Sequence, residues 1–241
     1  MKPMRGSSKR HCLTLLSGAL DLAVQDQVLK ANPASGFPLS KKAKAPQRFL
    51  TEVELAALAG ASKCPDVVWA LGTTGMRFGE LAGLQVRDID VAGRRINIER
   101  NAVLVDSRTV VGTPKTEERR SITAPGFVFD MIADRCRLKL STAWVFSDSA
   151  EPLRRPGSGH WFYQAVARCF REGLIGCRVT LHDLRHTAAS LMVACGANVK
   201  VVQRQLGHAS AAMTLDTYSS LFDTDLDGLG ARLDATFSRV V

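Results

Sequence analysis

Leu-His-Asp-Leu-Arg-His-Thr, residues 181–187, opens a helical pattern that runs on to Ala194. Two short segments follow it, Gln-Leu-Gly-His at 205–208 and Thr-Leu-Asp-Thr-Tyr-Ser at 214–219. Two more precede it, Thr-Thr-Gly-Met-Arg-Phe-Gly-Glu-Leu at 73–81 and Thr-Pro-Lys-Thr-Glu-Glu-Arg-Arg at 113–120. Singly, each is weak. An arginine after a glycine-containing turn is more often a surface residue than a ligand. A lysine in a Pro-Lys-Thr turn is usually solvated, and a tyrosine near a carboxyl end usually packs. The chain has only two tyrosines, Tyr163 and Tyr218, so the choice of a phenol is narrow.

The patterns around these segments are mostly helical. Periodicity predicts helices over 13–30, 65–71, 76–84, 125–140, 161–172, 199–206, 210–221 and 224–237. Another starts at Thr51, where Glu54 completes a capping box. Strand-like runs occupy 95–99, 102–105 and 120–123, with turns at Ala92-Gly93 and Gly112-Thr113-Pro114. The expected class is mainly α with a small antiparallel β-sheet, an α+β fold.

The 241 residues suit one large domain or two small ones. Hydrophobic residues at 46% and charged residues at 23% exclude disorder across the whole chain. No apolar run approaches the roughly 20 residues of a membrane span. The amino-terminal stretch starts basic and turns apolar, but Asp21 and Asp26 follow on the same pattern. It therefore reads as a cytoplasmic start, not a signal peptide. Six cysteines without C-x-x-C spacing predict reduced, buried thiols. The net charge of +9 favours polyanions, nucleic acid first. Residues 1–48 hold nine basic and two acidic side chains, and so carry most of that charge. Residues 34–47, rich in Pro, Gly, Ser and Lys, read as a linker. The expected organisation is an N-terminal helix and basic linker over 1–48, then a domain with a C-terminal tail helix over 49–241.

Together the five segments order Arg … Lys … His-x-x-Arg … His … Tyr from N to C. That order resembles the tyrosine site-specific recombinases, the phage integrase family. The resemblance covers roughly residues 49–222. It rests most heavily on His182-x-x-Arg185, Leu206-Gly207-His208 and Tyr218 ten residues further on. Asn32-Pro33 and the basic linker resemble the end of that family's core-binding domain, of which only the last helix is recognisable. A fragment of a longer integrase, a start placed too late, and a naturally truncated protein each fit that N-terminus.

The resemblance implies a tyrosine recombinase catalytic-domain fold and an active site of Arg77, Lys115, His182, Arg185, His208 and Tyr218. Tyr218 would be the nucleophile, leaving a 3′-phosphotyrosyl link and a free 5′-hydroxyl. Religation then needs no ATP, and no metal or other cofactor is expected. Paired guanidiniums at Arg77 and Arg185 can clamp the non-bridging oxygens of a phosphodiester, a fork that lysine cannot reproduce. Lys115 would protonate the leaving 5′-oxygen, His182 would accept the Tyr218 proton, and His208 would hydrogen-bond the phosphate. Glu80 would support the site. Asp183 either orients its neighbours or is an ordinary helix-surface carboxylate. Lys41, Lys42, Lys44 and Arg48 would track the phosphate backbone. His182 and His186 share a helix face as in an H-E-x-x-H zinc helix. However, Asp replaces Glu, no third ligand is placed, and Arg185 would repel a cation. His186 is expected to pack behind the site.

The implied partner is double-stranded DNA. The expected assembly is a homotetramer on synapsed DNA and a monomer in isolation. Leu226, Leu229, Leu233 and Phe237 form one apolar helix face, to be docked on this chain's own core or on a neighbouring subunit. The functional reading is a phage or mobile-element recombinase. The alternatives are a type IB topoisomerase-like nicking-closing enzyme and a DNA-binding remnant without recombination activity.

Overall fold

The structure, a computed structural model, describes residues 6–37, 48–106, 108–112, 119–222, 230, 234 and 236–238. Lys41, Lys42, Lys44 and Lys115, and the tail positions Leu226, Leu229 and Leu233, lie outside the described residues. The chain divides into two units, residues 1–46 and 47–241.

In the first unit, α1 spans Gly6–Gln25. It starts earlier than the periodicity predicts and also ends earlier, because Gln27 adopts φ 58°, which a continuing helix excludes. The Asn32 side-chain amide then donates to Ser17 O at 3.1 Å, Ser17 Oγ at 3.0 Å and Asp21 Oδ1 at 2.6 Å. Those bonds fold the following turn back along the helix. No helix among the described residues is long and apolar enough to cross a membrane.

The second unit begins with α2 (Glu52–Ala61), started by the capping box read from the sequence. The Thr51 hydroxyl accepts from Glu54 N–H at 3.2 Å, and Glu54 Oε2 accepts from Thr51 N–H at 2.8 Å. Such a cap is typically worth about 1 kcal/mol. Next comes α3 (Pro65–Thr74), with proline in its first turn. Gly75 ends it in the left-handed region at φ 72°. The backbone is then extended at Arg77 before α4 (Phe78–Ala82). The helix predicted over 76–84 is thus shorter, and Arg77 stands before it instead of within it.

The strands follow: β1 (Ile89–Asp90), β2 (Arg95–Ile98), β3 (Asn101–Val105), β4 (Arg108–Gly112) and β5 (Arg120–Ile122). An antiparallel sheet has the order β1-β2-β5, with Ile89 opposite Ile96 and Ile96 opposite Ile122. β3 and β4 form a separate hairpin. β4 was not expected, because Gly112 reads as a turn residue. Then come α5 (Gly126–Cys136), α6 (Trp161–Arg171), α7 (Leu181–Ala194), α8 (Val199–Leu206) and α9 (Ala211–Phe222). α5 stops short of the predicted end at 140, and Leu138 sits at φ 62°.

α3 lies between α2 and α7 and carries the core. Leu55, Leu58, Val68, Leu71, Phe162 and Leu184 are buried there with the sheet residues Ile96 and Ile98. A smaller cluster joins Ala189 of α7, Val202 and Leu206 of α8 and Tyr218 of α9. These two clusters bring the 73–81 turn, α7 and α9 together. The fold is mainly α with small antiparallel sheets, as the sequence leads one to expect.

Candidate active site

An open cleft of about 440 Å³ is lined by Arg77, His182 and Arg185, three of the residues picked from the sequence. Its other walls include Asn101, Val103, Leu104 and Thr109 of the β3–β4 hairpin, and Arg154 and Arg155 from the connection into α6.

Arg77 is placed by the end of α3. A Cβ on Gly75 would lie 2.4 Å from Leu206 Cδ2, so both the positive φ and the packing there call for glycine. The tight turn aims the Gly75 carbonyl at Arg185, whose Nη1 donates to it at 2.7 Å. Arg77 Nη1 donates to Glu80 Oε1 at 2.8 Å, and its backbone N–H donates to Glu80 Oε2 at 2.8 Å. Its side chain stays 34% exposed, facing the cleft.

Glu80 is buried and is also gripped by an arginine that sequence reading did not single out. Arg120 of β5 donates from Nη1 to Glu80 Oε1 at 3.0 Å and from Nη2 to Glu80 Oε2 at 2.7 Å. Burial pushes the Glu80 carboxyl up, but the Arg120 clamp and the Arg77 bonds outweigh it and hold it below the usual carboxylate range. Arg120 Nε reaches Gln205 O at 3.2 Å, and the guanidinium lies 2.8 Å from where a Cβ on Gly207 would be. Gly207 sits at φ 67° and leads directly into His208. The Gln205 amide donates to Thr74 O at 3.2 Å and Thr123 O at 2.7 Å. One polar network therefore ties the Arg77 turn to the His208 loop. Arg120→Gln is expected to cost about 3–5 kcal/mol in a urea unfolding curve, because a buried carboxylate loses its main partner. Arg77→Gln is expected to cost about 1 kcal/mol or less, since the Arg120 clamp remains and that side chain is partly solvated. Equal losses would contradict this division.

Arg185 is 3% exposed. Burial and the neighbouring Arg77 lower its pKa to about 10, so it remains a cation at neutral pH. Its Nη2 is buried and has no hydrogen-bond partner. A buried guanidinium donor left unpaired is costly, and it marks the place where an anionic oxygen would bind.

Tyr218 is 1% exposed. Burial pushes its phenol up to about 12, against the pull of Arg185. Its hydroxyl lies 2.8 Å from His186 Nδ1. The His208 ring stacks parallel to the phenol at 6.4 Å and shares Nδ1 with Thr214 Oγ1 at 2.9 Å. His182 meets His186 edge to face at 4.9 Å and is exposed at the cleft. The histidine against the phenol is therefore His186, which the sequence reading set behind the site. The two are one helical turn apart on one face, and only packing against α9 decides between them. Asp183 forms a capping box with Thr180: Thr180 N donates to Asp183 Oδ2 at 2.7 Å, which fixes the start of α7 just beside His182. Arg48 is exposed and donates to Arg178 O at 2.9 Å.

All three site histidines are shifted down, by burial first and by nearby arginines, His208 to about 4. The unfolded chain therefore binds more protons than the fold as pH drops below 6.5, and stability must fall in that direction. Between pH 6.5 and the carboxylate range the histidines act alone. His208 contributes a loss of about 1–2 kcal/mol at pH 5 relative to pH 7. Denaturant midpoints at the two pH values check this, and His208→Asn should flatten the difference.

The comparisons with known proteins bear on this arrangement. The model of the phage integrase family matches residues 47–224. The chain belongs to the phage integrase family. Among curated relatives of this integrase-family chain, the integrase of Mycobacterium phage D29 is 28% identical over 222 residues, which is 87% of this chain and 57% of that protein. The transposase from transposon Tn916 of Enterococcus faecalis is also 28% identical, again over 87% of this chain and 57% of the relative. The chain thus spans a little over half the length of these relatives. Among solved structures, the Tn1549 transposon integrase in complex with a circular intermediate DNA superposes with a TM-score of 0.75. It is 22% identical, and the match covers 87% of this chain and 74% of that one. The fold is that of a tyrosine recombinase catalytic domain.

Proposed function

We propose that this chain is the catalytic part of a site-specific DNA recombinase of the phage or mobile-element type. Tyr218 attacks a DNA phosphodiester held by Arg77 and Arg185, giving a 3′-phosphotyrosyl intermediate and a free 5′-hydroxyl. The observation that carries this is Arg185, which lines one cleft with Arg77 and has a buried Nη2 without a hydrogen-bond partner, on the helix whose His186 meets Tyr218. Charge grows on the non-bridging oxygens as the nucleophile arrives, and preorganised donors stabilise it without reorganising.

At neutral pH the phenol is protonated and His186 is neutral. With Nδ1 unprotonated, the phenol donates to it, so His186 is placed to take the proton as Tyr218 swings from its buried position to the phosphorus. His208, with Nδ1 engaged by Thr214, has Nε2 left for the phosphate. Lys115 is proposed as the acid for the leaving 5′-oxygen. Glu80 holds Arg77 and is itself held by Arg120, and Asp183 positions the His182 turn. Arg48, with Lys41, Lys42 and Lys44, contributes backbone contacts. The proposed partner is duplex DNA, bound as a homotetramer when two sites are synapsed.

The test uses a pool of duplexes of randomised sequence carrying a nick, so that the short fragment bearing the freed 5′-hydroxyl is lost and the covalent state is trapped. Wild-type protein is expected to give denaturant-resistant protein–DNA adducts. Their absence would refute the recombinase reading. Relaxation of supercoiled plasmid with no product joining two sites would favour a topoisomerase-like activity instead.

A further inference from the structure

The cleft holds more positive charge than one phosphodiester requires. Among the described residues four arginines line it, Arg77, Arg154, Arg155 and Arg185, and no acidic side chain does. In the recombinase reading, on which this inference rests, Arg77 and Arg185 take the scissile phosphate. Arg154 and Arg155 are left over. Both are exposed, and among the described residues neither is paired with a carboxylate. Some other surface arginines are paired, Arg94 with Asp130, Arg119 with Glu99 and Arg137 with Asp134.

The segment that presents the pair is also built to hold still. Pro152 and Pro156 bracket it and are buried, and Leu153 packs against the core. Proline fixes φ at both ends, so less entropy is lost when the arginines engage a ligand. The side chains stand on the same cleft as His182, and the charge of Arg155 contributes to lowering that histidine.

We propose that Arg154 and Arg155 form a second phosphate subsite, which grips the phosphodiester next to the scissile one on the cleaved strand. A DNA strand carries one charge about every 3.4 Å of helix axis. A scissile phosphate seated on Arg77 and Arg185 therefore brings its neighbour into the same cleft. Guanidiniums suit this task because each offers paired donors to a phosphate.

Fluorescence anisotropy of a 30-base-pair duplex against salt reads the subsite without any need for cleavage. Arg154→Gln/Arg155→Gln is expected to reduce the slope of log K on log salt by about 0.9, the value for one phosphate no longer neutralised. Arg154→Lys/Arg155→Lys should restore most of that slope, and Arg137→Gln, away from the cleft, should leave it unchanged. A slope equal to wild type in the glutamine pair would overturn the proposal.

Position is read on the nicked substrate captured as an adduct by wild-type protein. Replacing the phosphate next to the scissile one by a neutral methylphosphonate should slow adduct formation by wild type about tenfold and leave the glutamine pair no slower than before. The same slowing in both would overturn the subsite. Adducts with wild type and a negative result here sink only the subsite. No adducts at all sink the recombinase reading, while the salt slope still reports on the two arginines.

Discussion

Tyr218→Phe is expected to abolish covalent adduct formation, to below detection, while duplex binding stays within about twofold of wild type. The substitution removes one oxygen and keeps the ring that fills the α7–α8–α9 cluster with Ala189, Val202 and Leu206. The folded state loses the 2.8 Å contact with His186, a cost of about 1–2 kcal/mol, which a domain of this size tolerates. Binding is spared because the hydroxyl is buried and makes no surface contact. Chemistry is lost entirely because no other phenol can substitute. Tyr163, the second of the two tyrosines, belongs to α6 and packs against the main core. Denaturing gels read the adduct and anisotropy reads the binding. A residual adduct above about one part in a hundred of wild type would exclude Tyr218 as the nucleophile.

Arg185→Lys is expected to lower the single-turnover cleavage rate about 10²–10³-fold at saturating DNA, with charge conserved. Arg185 bridges two tasks at once. Nη1 holds the Gly75 carbonyl at 2.7 Å, and the buried Nη2, which has no hydrogen-bond partner, is the donor proposed for the phosphate. The planar fork makes both bonds from one side chain in fixed directions, which an ammonium on a shorter stem cannot do. Lysine at this depth would also suffer the desolvation that already lowers Arg185, and it starts from a lower intrinsic pKa. A rate within threefold of wild type would show that positive charge alone suffices and that the fork geometry is irrelevant.

Legibility in the sequence followed the range of the interaction. The Thr51–Glu54 and Thr180–Asp183 boxes close within three residues, and the first was read directly. His182 and Arg185 share one turn of α7, so their common cleft follows from a single helix. The place of Arg77 was legible but its backbone was not. A left-handed Gly75 ends α3, and an extended Arg77 precedes α4, where periodicity puts Arg77 inside a helix over 76–84. The Arg120–Glu80 clamp joins residues 40 apart, and the Arg120–Gln205 bond joins residues 85 apart. No local pattern records either partner. Only the pairing of β5 with β2 and the packing of α8 on β5 bring them together. The exchange between His182 and His186 has the same origin, since helix spacing puts both on one face and α9 then selects one. A hint was available for Arg120: an arginine that ends a run of charge and begins a strand is poorly placed to stay in water.

In the proposed reaction Tyr218 carries the DNA through its hydroxyl oxygen while cationic forks hold the phosphate. The most direct measurement is peptide mapping of the trapped adduct by tandem mass spectrometry, after nuclease trimming of the DNA. A single phosphonucleotide-bearing peptide from α9, modified on Tyr218 through the 3′ end of the DNA, is the predicted result. Modification on Tyr163, on a serine or threonine, or through a 5′-phosphate would contradict it.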